Sequence, residues 1–143
     1  MSKSNVTEND LVKFYANNVS MPLYGTNLYV HLHTSDPGEA GTSSSSEATY
    51  TGYARVTTIR DSTAWTICDV NGTPNANGSA FKNAIAVVFP ECTGVSDDEI
   101  ITHASLCTNG GQILYSGALT ASIRITNLTT PYFPIGTLIF KED

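Results

Sequence analysis

The stretch NLYVHLHTSDPGEAGTSSSSEATYTGYARV, residues 27 to 56, decides the fold. In its first seven residues Leu28, Val30 and Leu32 alternate with Tyr29, His31 and His33. On an extended chain that places the aliphatic side chains on one face and the aromatic and imidazole rings on the other. The period of two predicts a strand with one oily face. Residues 35 to 51 then form a polar loop rich in Ser, Thr and Gly. Such a loop is long for a compact domain and is expected to be mobile or to meet a partner. Gly52 follows, and Tyr53 opens a second strand-like run, YARVTTIRD.

Outward from this stretch the same punctuation recurs. Apolar or alternating runs at 63–70 (TAWTICDV), 83–90 (NAIAVVFP), 99–108 (EIITHASLCT), 112–120 (QILYSGALT), 121–128 (ASIRITNL) and 136–142 (GTLIFKE) bring the expected strands to eight. NGG at 109–111 is a hairpin turn between two such runs, and NGTPNANG at 71–78 is a dense turn cluster. AIAVVF is apolar at successive positions, which predicts a central strand covered on both faces. One helix is expected over 7–18, TENDLVKFYANN, with Thr7 as its cap and Leu11, Phe14 and Tyr15 on one face.

Eight short antiparallel strands with turn signals between them predict an all-β fold: a two-sheet sandwich, jelly-roll-like, with one short N-terminal helix. The 143 residues fit a single domain, with an N-terminal arm and helix over 1–20 and the long polar loop over 35–51. A chain of this length buries roughly two-thirds of the surface its unfolded form exposes, so neither a disulfide nor a metal is needed to fold it. No internal repeat and no second domain is visible.

Composition narrows the function. The net charge is −6 and the seven Lys and Arg are scattered, so no basic stripe exists to neutralise phosphates and nucleic acid is not an expected partner. No run of eighteen apolar residues occurs and MSKSNVTENDLVKFY has no apolar h-region, so neither a membrane span nor a secretory signal is expected, and synthesis in a cytoplasm is. Cys68, Cys92 and Cys107 are odd in number, widely spaced and set in apolar runs. Buried free thiols are the expectation.

The two histidines pose the one chemical question. Cupin-type jelly-roll enzymes hold metal with a Gly, five residues, His-x-His, three or four residues, then Glu, and Gly25 precedes His31 by that interval. Glu39, however, stands one residue too far along, across a Pro-Gly turn, and the second cupin motif is missing. His103 is the only third imidazole. A catalytic metal needs about three protein ligands converging on one point, so His31 and His33 are read as sheet-surface or interface residues and no metal or cofactor is expected. Asp97, Asp98 and Glu99 are consecutive carboxylates that a turn aims in different directions, expected to be a solvated acidic turn. G-x-S-x-G, P-loop, H-E-x-x-H and G-x-G-x-x-G patterns are all absent, so no catalytic residue is assigned and the chain is expected not to be an enzyme.

The strand Leu28–Thr34, the Ser-Asp-Pro-Gly-Glu-x-Gly turn from Ser35 to Gly41, and Gly52, Tyr53, Ala54 and Arg55 opening the next strand resemble small tailed-phage virion proteins. The likeness continues through Ile85–Pro90, Ile101–Leu106 and Leu114–Leu119. Members are often labelled tail fibre proteins, and some resemble head decoration, or cement, proteins with a jelly-roll fold. The resemblance implies a non-enzymatic structural protein of the virion, expected on the capsid exterior. There it would bind the major capsid protein and copies of itself, as a dimer or trimer, with the arm MSKSNVTE lying along a neighbour. A tail or fibre-associated module for host attachment is the alternative, and a cupin-like metal-binding protein the third reading. Tyr29, His31, His33, Tyr50, Tyr53 and Tyr132 are the expected partner contacts.

Overall fold

The structure, a computed structural model, describes residues 1–22 and 24–142. Among these residues there are ten strands and one helix. In chain order these are β1 (Ser2–Lys3), α1 (Asn5–Asn17), β2 (Asn27–His33), β3 (Val56–Ile59), β4 (Trp65–Cys68) and β5 (Ala80–Asn83). They continue with β6 (Val87–Val88), β7 (Asp98–Cys107), β8 (Ile113–Thr126), β9 (Tyr132–Phe133) and β10 (Ile139–Lys141).

Every strand pairing is antiparallel. A five-stranded sheet runs β1-β8-β7-β2-β3 and a three-stranded sheet runs β10-β5-β4, with β6 and β9 as a separate pair. The two larger sheets meet over one core, to which β2 gives Leu28, Val30 and Leu32, and β7 gives Ile101, Ala104 and Leu106. Ile101 and Ala104 share that face although three residues apart, because a register shift between Ile101 and His103 absorbs the extra residue. From the opposite sheet come Trp65 and Phe140, and Tyr115 of β8 packs on Phe81 and Phe140 at centroid distances of 5.4 and 5.6 Å. Each fully buried aliphatic side chain contributes about 1.5–3 kcal/mol. The all-β sandwich with one N-terminal helix is therefore as expected.

Its details depart from expectation in five places. Ser4, not Thr7, caps the helix: Ser4 is extended and its hydroxyl accepts the Thr7 N–H, while Thr7 is buried and donates its own hydroxyl to Ile113 O. The helix ends at Asn18 in the left-handed conformation. The N-terminal arm lies on its own sheet, where Ser2 and Lys3 pair with Ser116 and Tyr115, and Lys3 reaches Glu142 at 2.6 Å. The two runs at 112–120 and 121–128 are one strand, β8. AIAVVF is not a central strand, since only Val87 and Val88 pair, against β9, and Ile85 and Val88 are 43% and 53% exposed.

The long loop is the fifth departure, for it is fastened rather than loose. Thr34 N–H donates to Ser46 O at 2.8 Å, Ala48 N–H to Leu32 O at 2.9 Å and Ser43 N–H to Gly111 O at 2.9 Å. Its Asp-Pro-Gly turn closes on itself through Gly38 N–H and Asp36 Oδ1, and Asn5 N–H donates to Glu39 O, tying the helix start to the loop. At the far end Gly52 has φ +96, and a Cβ there would stand 2.8 Å from Glu91 O, so the Gly-Tyr-Ala-Arg motif needs its glycine.

Candidate functional site

The face of β2 opposite the core is the starting point, because it carries both histidines. Antiparallel register sets His31 opposite Ser105 and His33 opposite His103, with Tyr29 opposite Cys107. A polar row on β2 therefore meets a polar row on β7, and the fastened loop lies across both.

Each imidazole is held by that loop. His31 Nδ1 lies 2.6 Å from Glu47 Oε1, and Tyr53 donates its hydroxyl to the same oxygen at 3.1 Å while accepting the Leu32 N–H. His33 Nδ1 lies 2.8 Å from the Ser45 carbonyl, which only accepts, so the proton sits on Nδ1. Nε2 then accepts from the Ser105 hydroxyl at 2.7 Å, and Ser105 in turn takes the Cys107 thiol at 3.2 Å. His103 is tied to Thr102, whose hydroxyl donates to Thr34 O. The result is a polar seam between sheet and loop.

Burial sets its electrostatics. His31 and His33 are 2% and 0% exposed, and desolvation holds both below the ordinary histidine value. Glu47 works against that shift at His31, and Arg55 adds to it. The Cys107 thiol is pushed up to about 12 by burial, which leaves no thiolate for nucleophilic attack near neutrality. The chain of Cys107, Ser105 and His33 thus has the order of a proton relay without a reachable nucleophile. Among the described residues, no group of three or more His, Cys, Asp or Glu is placed to hold a metal ion.

The surface role expected for the two histidines is therefore corrected. A polar side chain sits inside at low cost when partners meet it there; the loop meets the Nδ1 atom of each ring and Ser105 meets His33 Nε2, while His31 Nε2 is buried without a hydrogen-bond partner. Tyr50 is also buried, at 4% exposed, with its hydroxyl on Pro90 O and its ionisation pushed up to about 12 by desolvation. His31, His33 and Tyr50 have no surface to offer a partner of the folded chain. Tyr53 is half-buried beside them, its hydroxyl held by Glu47, and its pKa is raised by burial. Tyr29 is half-buried under the Arg55 guanidinium, 3.9 Å from its ring centre, and Arg55 also donates to Asn109. Of the six expected contacts, five gather around this seam.

The carboxylate run 97–99 is likewise not a free acidic turn. Asp97 accepts the Thr51 N–H, Asp98 pairs with Arg124 at 2.6 Å, and Glu99 accepts the N–H groups of Thr49 and Tyr50. Two of the three therefore anchor the far end of the loop. Sequence reading missed Glu47, Ser45, Ser105 and Cys107 as members of the seam. The signal for two of them was available, since His103, Ser105 and Cys107 share one parity in THASLCT just as Tyr29, His31 and His33 do in LYVHLH.

The open surfaces lie elsewhere. Tyr132, the sixth expected contact, is 57% exposed and stands directly opposite Val88 on the β6–β9 pair, with Ile85 and Ile135 also exposed. On α1, only the first turn is buried against the sandwich; Val12, Phe14 and Tyr15 are exposed. None of these exposed surfaces carries the buried acid–base groups. No curated protein matches the chain. A family model does, described as Podophage GP4 fiber I protein gp80, and it matches residues 2–141, spanning the helix, the fastened loop and all ten strands. The chain belongs to that family of phage virion proteins.

Proposed function

We propose that this chain is a non-enzymatic structural subunit of a tailed-phage virion that acts by protein–protein contact, as a module of a fibre. The match to a fibre-protein family over residues 2–141 is the observation that carries this reading. The geometry supports it in two ways. His31, His33 and the Cys107 thiol are buried and held by Glu47, Ser45 and Ser105, while large apolar side chains stand exposed on α1 and on the β6–β9 pair. Exposed apolar area of this kind contributes about 25 cal/mol per Å² when a neighbour covers it. An acidic chain of net charge −6 has protein surfaces, not phosphates, as its partners.

A second placement, as a decoration protein on the capsid exterior bound to the major capsid protein, is favoured by the resemblance carried by Leu28–Glu39 and Gly52–Arg55. Binding only to the assembled shell would stabilise it by mass action, of order 4 kcal/mol at a thousandfold excess over the dissociation constant. Quantitative mass spectrometry of purified particles, with gold-labelled antibody against the chain, separates the two. A small fixed copy number with label at the tail supports the fibre. Hundreds of copies with label over the head support decoration, and absence from the particle overturns both.

A further inference from the structure

β8 is the longest strand and the least completed. One side pairs with β7, while on the other β1 covers only Tyr115 and Ser116. From Gly117 to Ile125 that outer side has no backbone partner among the described residues. The register against β7 also jumps, because Ala118 stands opposite His103 and Ile123 opposite Ile101. Leu119, Thr120, Ala121 and Ser122 consequently have no register partner on either side, and the last three are exposed.

Free edges in soluble proteins are blunted by Lys, Pro, cover or bulges. Here residues 113–123 contain neither a charge nor a proline, and Arg124 is neutralised by Asp98. β1 covers only Tyr115 and Ser116, and the bulge leaves more backbone unpaired than it hides. Beside the edge lies an open cavity of about 410 Å³ walled by Leu119 and Ile123 from β8 and by Phe133, Leu138 and Ile139 from across the sandwich, with Met1 and Lys141 at its border. The edge already accepts one antiparallel strand: β1 ends its pairing where a Cβ at Gly117 would stand 2.8 Å from Met1 Cα.

We infer that this edge is where a second copy of the chain joins, β8 against β8 in antiparallel register about a two-fold axis, extending the five-stranded sheet across the pair. A two-fold contact needs one self-complementary surface, and a strand edge is self-complementary through its backbone alone. Charge selects the place: on a molecule of net charge −6, residues 113–123 carry no charged side chain, and the nearest charged side chain of the cavity, Lys141, is opposite in sign to the molecule. The inference is independent of where in the virion the chain sits.

The test uses the full-length purified chain in sedimentation equilibrium over a range of concentrations, with Ala121→Lys and, as a control on a different face, Tyr132→Lys. The wild type forms a reversible dimer. Ala121→Lys sets like charges facing each other and weakens it by roughly tenfold or more, whereas Tyr132→Lys leaves it unchanged. Hydrogen exchange on the wild type gives a second readout that does not rely on a variant folding: amides 117–123 exchange more slowly above the dissociation constant than below it. A chain that stays monomeric at every concentration overturns the inference, as does a dimer whose amides 117–123 exchange equally fast in both states. A dimer broken by Tyr132→Lys overturns it too.

Discussion

β2 and β6 are both short strands of one molecule, and they sit in opposite circumstances. β2 carries two imidazoles and a tyrosine in seven residues, yet His31, Leu32 and His33 are all at most 2% exposed. β6 lies in the all-apolar run AIAVVF, yet it is two residues long and leaves Val88 53% exposed. The difference lies in what each strand's neighbours supply. β2 is central, paired with β3 and β7, and a loop brings a carboxylate and a carbonyl to the polar row on its second face. Among the described residues β6 pairs only with β9, and its outer side chain, Val88, stands largely open. Burial here follows from cover and partners more than from hydropathy.

Truncation should separate the two strands most sharply. Leu32→Ala removes a side chain with no exposed area from the middle of the sandwich. It is expected to lower unfolding free energy by about 2–5 kcal/mol, from lost transfer energy and the cavity left behind. Urea titration measures it. A loss below about 1 kcal/mol would mean that β2 is less enclosed than its accessibility indicates.

The next largest effect tests the other face of β2. Glu47→Ala takes the acceptor from both His31 Nδ1 and the Tyr53 hydroxyl. Leaving buried donors unsatisfied costs about 1–3 kcal/mol, and residues 35–51 should lose protection against hydrogen exchange and limited proteolysis. If the loop stays protected, its backbone bonds to Leu32 and Gly111 hold it without the seam.

A smaller effect appears on acidification. The folded-state values of His31 and His33 lie below the ordinary 6.5. At about pH 7.5 both states are neutral there. As pH falls through 6.5 the unfolded chain binds protons that the folded chain refuses, so stability falls, by up to about 1.4 kcal/mol per pH unit for each such imidazole, until the folded groups protonate too. Glu47 lessens the effect at His31, while Arg55 and the neighbouring imidazoles strengthen it across the pair. Asp61, Asp97, Asp98 and Glu142 are held below their ordinary values and so act only at lower pH, in the range where unfolded carboxylates titrate. Replacing His31 and His33 together by Gln should flatten the slope between about pH 6.5 and 5.5. A slope that persists assigns the sensitivity to groups other than these two imidazoles.

The legibility of these features differs for physical reasons. Alternation in LYVHLHT and ASIRIT placed strands correctly, because a period of two survives whatever covers the faces. Burial of the polar row was not legible, since it depends on a carbonyl and a carboxylate that a loop brings from twelve and sixteen residues away. AIAVVF was misleading in the opposite sense. Val87 and Phe89 do point inward, at 0% and 2% exposed, so the strand parity is present but masked by apolar residues on the outer face. β5, with the sequence AFKN, has no periodic signal at all and is a strand because β4 and β10 flank it. The Tyr, His and loop residues of the candidate site lay together in one quoted stretch, but their role as a latch required the partners from β7.

The smallest effect is the most informative about β6. Val88 is half exposed opposite the exposed Tyr132, so Val88→Thr keeps the β-branched shape that suits the strand and adds a hydroxyl that water can satisfy. In the isolated chain the change should stay within about 0.5 kcal/mol of wild type. If this face is covered in the virion, the same substitution should matter there, because the hydroxyl would be buried without a partner against apolar surface. Incorporation of the variant into particles, measured against wild type in mixed infection, would then fall although the free protein is as stable as before. Equal incorporation would show that the outer side of β6 faces water in the particle as well, and that the contrast with β2 extends to the assembled state.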